Sequence, residues 1–294
     1  MPSKKVHLVL GSGGARGIAH IAVIEELEKA GYEIIEVIGC SMGAVVGGIY
    51  TAGHLQEYKE WMFSLTKKGV FDLLDFTFAK QGFVKGEKLF AKHIEVTGNE
   101  SIEEFSIPFT AVATDMRHHK EVHFKKGDLY KALRASVSIP GFFIPVVEDG
   151  KVLVDGGVLN PLPINLVSKK KNAIIVAVNL NGRPDPKYNK PAEPDKLEEM
   201  QKWFDKLLPD SMKSKLKTKA KAELPAEESS FSLIELMDST FSFTQDRLTE
   251  LTIEMYKPDH LIEIPRNAGG VFDFDQGPRL YEIGKDAFLK SIGE

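Results

Sequence analysis

Three short stretches carry residue types that could do chemistry together. Gly39-Cys40-Ser41-Met42-Gly43 sets a serine among small residues, where a sharp strand-to-helix turn exposes the hydroxyl as a nucleophile. Taken alone, the same five residues also suit a glycine-rich turn with an incidental serine. Gly11-Ser12-Gly13-Gly14-Ala15-Arg16-Gly17 supplies a second glycine turn that feeds a helix, and its unpaired amides would hold negative charge. A dinucleotide fingerprint does not fit, because Arg16 stands where its third glycine belongs and no acidic residue closes the next strand. A phosphate loop is excluded too, since no Gly-Lys-Ser/Thr follows the glycines. An oxyanion hole beside a nucleophilic serine explains both stretches with one chemistry. The third stretch, Lys151-Val152-Leu153-Val154-Asp155-Gly156-Gly157, delivers an aspartate into a glycine turn. Asp-Gly by itself reads as a hairpin, but a serine and an oxyanion loop call for a proton acceptor, and Asp155 can be one.

Positioning these groups requires a particular set of elements. The apolar runs at 6–10, 34–38, 109–113, 152–154 and 174–178 predict sheet strands. Ile18, Ile21, Val23, Ile24 and Leu27 fall at helical spacing between the first two, with Gly31 as a stop. Strand, helix and strand in succession imply a parallel crossover, which brings Gly13 and Ser41 to one edge of the sheet. Phe63, Phe71, Phe76, Phe78 and Phe83, with Val70, Leu73 and Leu74, read either as core packing or as a flap lining an acyl-chain channel.

Composition narrows the class. The chain has 294 residues, enough for one α/β domain with or without a cap. Its 38 basic and 42 acidic residues leave a net charge of −4, which gives no global case for nucleic-acid binding. The single cysteine, Cys40, allows no internal disulfide. The apolar run at 6–10 is too short for a signal peptide and no uncharged run reaches membrane-spanning length, so a cytoplasmic protein is expected. Residues 183–196 are proline-rich and read as a linker. Apolar residues then recur at helical spacing from Leu197 to Leu208, followed by Lys213, Lys215, Lys217, Lys219 and Lys221 with no acidic residue among them. The stretch 197–221 reads as a packed helix with a solvated charged face, or as a peripheral membrane contact.

The glycine loop, the Gly-Cys-Ser-Met-Gly turn and Asp-Gly-Gly, in this order, resemble the patatin-like phospholipase family. Leu133-Arg134-Ala135-Ser136-Val137-Ser138-Ile139-Pro140-Gly141-Phe142-Phe143 is also similar to that family. The likeness spans about residues 6 to 180; the tail is similar to smaller bacterial, single-domain members through 258–262 and a final helix near 280–292. Residues 183–244 carry no signature of it and are expected to form a helical insertion or cap within one domain. Ser12 departs from the pattern, standing where many members have another glycine.

The resemblance implies a three-layer α/β/α sandwich with a mainly parallel central sheet and helical additions. It implies Ser41 as nucleophile, Asp155 as general base, and Gly13 and Gly14 as the oxyanion loop, with Gly11, Arg16, Gly39 and Gly43 supporting. No histidine belongs to such a dyad. His260 follows Ser41 and Asp155 in the chain order of a hydrolase triad, yet reads better as a strand-edge residue. His20 would support the glycine loop, and His118, His119 and His123 lack the spacing of a metal site. Cys40 reads as a small packing residue. The expected activity is hydrolysis of lipid carboxylic esters through an acyl-enzyme, with no metal, nucleotide or other cofactor. A transacylase or thioesterase would use the same serine, and a non-catalytic anion- or nucleotide-binding regulator would need only the glycine loop.

Overall fold

The computed structural model describes residues 4–79, 82–98, 100–168, 172–188 and 233–292. Its strands are β1 (Lys4–Leu10), β2 (Tyr32–Cys40), β3 (Phe76–Ala79), β4 (Gly82–Val84), β5 (Phe109–Asp115), β6 (Lys120–Phe124), β7 (Val146–Glu148), β8 (Lys151–Asp155), β9 (Ala173–Gly182) and β10 (His260–Pro265). The helices are α1 (Ala19–Lys29), α2 (Met42–Thr51), α3 (Leu55–Ser64), α4 (Lys67–Leu73), α5 (Glu87–Thr97), α6 (Leu129–Ser136), α7 (Leu233–Tyr256) and α8 (Gly277–Ser291). Among the described residues, β10-β9-β1-β2-β5-β8-β7 form the path of an eight-stranded sheet, with β6 also paired to β5. β10, β9, β1, β2 and β5 run parallel; β8 and β6 pair antiparallel with β5, and β7 antiparallel with β8. This is a mixed central sheet flanked by helices, with each of the five expected strands present and extended by a few residues.

The buried stretches of the parallel strands are mostly apolar because both of their faces are covered. Alternation along each strand sorts the residues by face. Val9, Ile38, Cys40, Val112 and Ala177 point to one side, under Leu162, Ile164, Leu166 and Val167 and the Ile253 side chain of α7. Leu10, Val37 and Phe109 point to the other, where α2 lies so close that side chains at Gly47 and Gly48 would crowd them. α1 packs against α8, and a side chain at Gly284 would strike the Ala19 backbone. Deep β2 and α2 burial makes their junction rigid, and that junction holds Ser41.

Contacts divide the chain into two compact units, Met1–Pro186 with Thr244–Glu294, and Lys187–Phe243. Of the second, residues 187–188 and 233–243 are described. The lysine-rich stretch 197–221, and with it most of the expected insertion at 183–244, lies outside the described residues.

Gly43 marks the closest approach of α2 to the sheet: a Cβ there would collide with the Leu10 carbonyl. Gly43→Ala is therefore expected to lose about 1–3 kcal/mol of stability through overpacking. Gly69→Ala, in exposed α4 with ordinary contacts only, should instead gain about 0.5–1 kcal/mol from its helix preference. Urea unfolding of both variants measures the contrast.

Candidate active site

β2 ends at Cys40 and α2 begins at Met42, so Ser41 takes the whole turn. Its φ of 54° and ψ of −124° lie where L residues rarely go, at a cost of about 1–3 kcal/mol. The structure around it secures that conformation. The Ser41 N–H donates to Ser136 Oγ at 2.9 Å, and that hydroxyl donates to the Val112 carbonyl at 2.6 Å. One serine on α6 thereby ties the turn to β5.

β5 also places the aspartate. Cys40 is in register with Val112, and Asp155 with Ala113, so the ends of β2 and β8 arrive at the same level on either side of β5. Ser41 Oγ donates to Asp155 Oδ2 at 2.6 Å, and the Gly157 N–H donates to Oδ1 at 2.7 Å. Both residues are at most 2% exposed. Burial pushes the Asp155 carboxyl up from 3.8 to about 6, against the opposing pull of its bonds to Ser41 and Gly157. The turn after Asp155 is a single helical turn capped by its own carboxylate, not a hairpin.

The glycine loop lies beside this pair. Gly11 N–H donates to Val178 O, Ser12 N–H to Pro161 O and Ala15 N–H to Val271 O. Gly14 has a φ of 57°, and a side chain there would strike Val271, so glycine is required. Among the described residues no acceptor meets the Gly13 or Gly14 N–H. Arg16 is buried and fastens the loop: its guanidinium donates to Leu180 O at 2.9 Å, Gly269 O at 2.7 Å and Asn181 Oδ1 at 3.0 Å. His20 Nε2 bonds the Gly11 carbonyl at 2.9 Å, and burial lowers this imidazole to about 4, keeping it neutral.

Ser41 and Gly14 sit in the wall of an apolar cleft enclosing roughly 760 Å³ with its open mouth. Val45, Met62, Leu74, Phe90, Phe143 and Phe272 are among the side chains that line it. The aromatic-rich segment at 63–83 contributes Val70, Leu73 and Leu74 to the cleft, but Phe63 packs on Tyr281 instead and Phe71 is half exposed. Nothing is described of the side chains of Phe76, Phe78 and Phe83. Sequence reasoning assigns no role to Ser136 or to Gln245, whose Nε2 donates to Ser12 Oγ at 3.4 Å. The stretch 133–143 signals Ser136 and Phe143; nothing in the sequence signals Gln245.

The remaining candidates fall elsewhere. His260 opens the edge strand β10 opposite Val176 and is not brought to Ser41. His118 pairs with Asp115 and His123 with Glu121 on the β5–β6 hairpin. Cys40 points to the other face of the sheet, into a cluster with Ile38 and Val112, and burial raises its thiol well above the usual range.

A family model described as patatin-like phospholipase matches residues 8–167, which takes in all three motifs. The chain belongs to the patatin-like phospholipase family. As such it is an ester hydrolase. An uncharacterized NTE family protein of Mycobacterium bovis is 34% identical over 96% of this chain and 90% of its own length. A lysophospholipase of Cryptococcus neoformans is 33% identical over 62% of this chain, and neuropathy target esterase of Drosophila melanogaster 32% identical over 63%. The matched part is only 12% and 13% of those two longer proteins.

For this patatin-like site, the buried carboxyl has a signature in stability. Because its native pKa is raised from 3.8 to about 6, the native state is favoured while Asp155 is protonated, and loses that advantage as pH rises through 6. Asp155→Asn stays neutral and can still bond Ser41 and Gly157. The variant should match wild type below pH 4 and exceed it by about 3 kcal/mol above pH 7. Urea unfolding at several pH values measures the difference.

Proposed function

We propose that the protein hydrolyses carboxylic esters of lipids through a Ser41–Asp155 dyad and an acyl-enzyme. The 2.6 Å hydrogen bond from Ser41 to a buried carboxyl at the wall of an apolar cleft carries this reading. The acyl chain lies in the cleft with its carbonyl at Ser41. Asp155 takes the hydroxyl proton as Ser41 attacks, and the alcohol leaves with a proton returned from Asp155. A carboxylate is a weak base toward an alcohol, so the surroundings must help. Burial strengthens Asp155 as a base. The N-terminus of α2 favours the developing negative charge by roughly 0.3–2 kcal/mol.

The Gly13 and Gly14 amides receive the oxyanion, a contribution of about a hundred- to a thousandfold per donor in comparable sites. Water then attacks the acyl-enzyme, and the carboxylic acid is released. Support for a lipid ester as substrate comes from the apolar cleft and from relatives named lysophospholipase and esterase. Among the described residues no helix is long and apolar enough to cross a membrane. Access to lipid through residues 197–221 remains part of the proposal, resting on their lysines alone.

Two measurements test the dyad. A fluorophosphonate probe should label wild type and not Ser41→Ala, while Asp155→Asn should cut lysophospholipid and p-nitrophenyl ester hydrolysis by at least about a thousandfold. Labelling retained in Ser41→Ala defeats the assignment. Because Asp155 must be ionised to act, kcat/KM should fall below a limb near pH 6 and be flat above it. A limb at the ordinary carboxylate value would mean that another group is the base.

A further inference from the structure

We infer that Ser12 and Gln245 hold the water that releases the acyl group from Ser41. The inference rests on Ser41 as the acyl carrier. Three polar groups converge on the space above Gly157. A Cβ at that residue would collide with the Gln245 amide nitrogen, and would lie 3.0 Å from Asp155 Oδ1 and 3.1 Å from Ser12 Oγ. Only glycine at 157 lets the Gln245 amide come so near the carboxyl. Gln245 and Ser12 are 6% and 5% exposed, and they are joined by the Nε2–Oγ hydrogen bond. That bond uses one donor of the amide and one lone pair of the hydroxyl. Among the described residues nothing donates to Gln245 Oε1 and nothing accepts the Ser12 hydroxyl hydrogen. One donor and one acceptor therefore remain beside Asp155.

A bound water needs two to four polar partners. Ser12 O–H, Gln245 Oε1 and the Asp155 carboxylate supply three. The other approach to Ser41 is the cleft, which is apolar and would be filled by the acyl chain. Acylation also removes the hydroxyl hydrogen that Asp155 Oδ2 accepts from Ser41, which frees that oxygen for the incoming water while Gly157 still holds Oδ1. As the water oxygen bonds the acyl carbon, its proton passes to Asp155. The bond between that carbon and Ser41 Oγ then breaks, Asp155 returns the proton to Oγ, and the carboxylic acid departs. Ser12 stands where the family resemblance expects glycine, so this niche is a feature of the chain beyond its shared motifs.

The test separates the two half-reactions in the full-length chain with a p-nitrophenyl acyl ester. Pre-steady-state release of p-nitrophenol reads acylation, and intact mass at steady state reads the ratio of acylated to free enzyme. Gln245→Leu and Ser12→Gly should keep acylation within about twofold of wild type and raise that ratio about tenfold each, the loss expected from one hydrogen bond to the water. The double variant should be no worse than the more affected single variant, because both residues serve one water. Ser12→Ala, the smallest change, provides the same readout if Gln245→Leu does not fold. An unchanged ratio, or acylation and deacylation falling together, overturns the inference while Ser41 labelling leaves the dyad standing. Absence of acylation on Ser41 in wild type overturns both.

Discussion

The bond between Ser41 and Asp155 is the constraint around which the molecule is arranged. It joins groups 114 residues apart and needs them on neighbouring levels of the sheet. β5 meets that need by pairing with β2 on one edge and β8 on the other, parallel to the first and antiparallel to the second. The switch in strand direction is thus no decoration at the sheet margin. It lets a carboxylate arrive from the end of β8 at the turn that leaves β2. Ser136 completes the arrangement by holding the Ser41 amide to β5, which leaves the strained turn little freedom to relax.

The surroundings of the pair are divided by polarity. One side is the cleft, walled by aliphatic and aromatic side chains from α2, α3, α5 and the loops after β10 and α6. The other carries the glycine loop with Ser12, the helical turn after Asp155 and the amide of Gln245. A substrate with a long apolar chain and a polar ester matches that division. The carboxyl lies between the halves, deep enough that burial keeps its proton affinity high.

The local parts of this arrangement are legible in the residues. Strand–turn–helix units around Gly13 and Ser41 depend on glycine placement and apolar runs only a few residues long, and Asp155 announces itself by its glycine turn. The family resemblance links them, because distance along the chain hides their meeting. Side chains that act across the fold are a different matter. Ser136 lies 95 residues from Ser41 and Gln245 lies 233 from Ser12, and no periodicity connects either pair. The cleft is similar: Val70, Leu73 and Leu74 belong to the segment read as a flap, while Phe63 turns away to Tyr281. Which face an aromatic takes is decided by the helices that come to pack on it.

The glycine loop near the start of the chain borrows its shape from the end. Ala15 donates to the Val271 carbonyl, and the Arg16 guanidinium reaches Leu180 and Gly269. The Gly269 acceptor lies 253 residues along the chain from Arg16. Without residues 269–271 the Arg16 guanidinium keeps Leu180 and Asn181, but loses Gly269, and the Ala15 N–H loses Val271. The shape of the loop beside Ser41 is therefore coupled to a segment more than two hundred residues away, and a substitution there can alter the site without touching it.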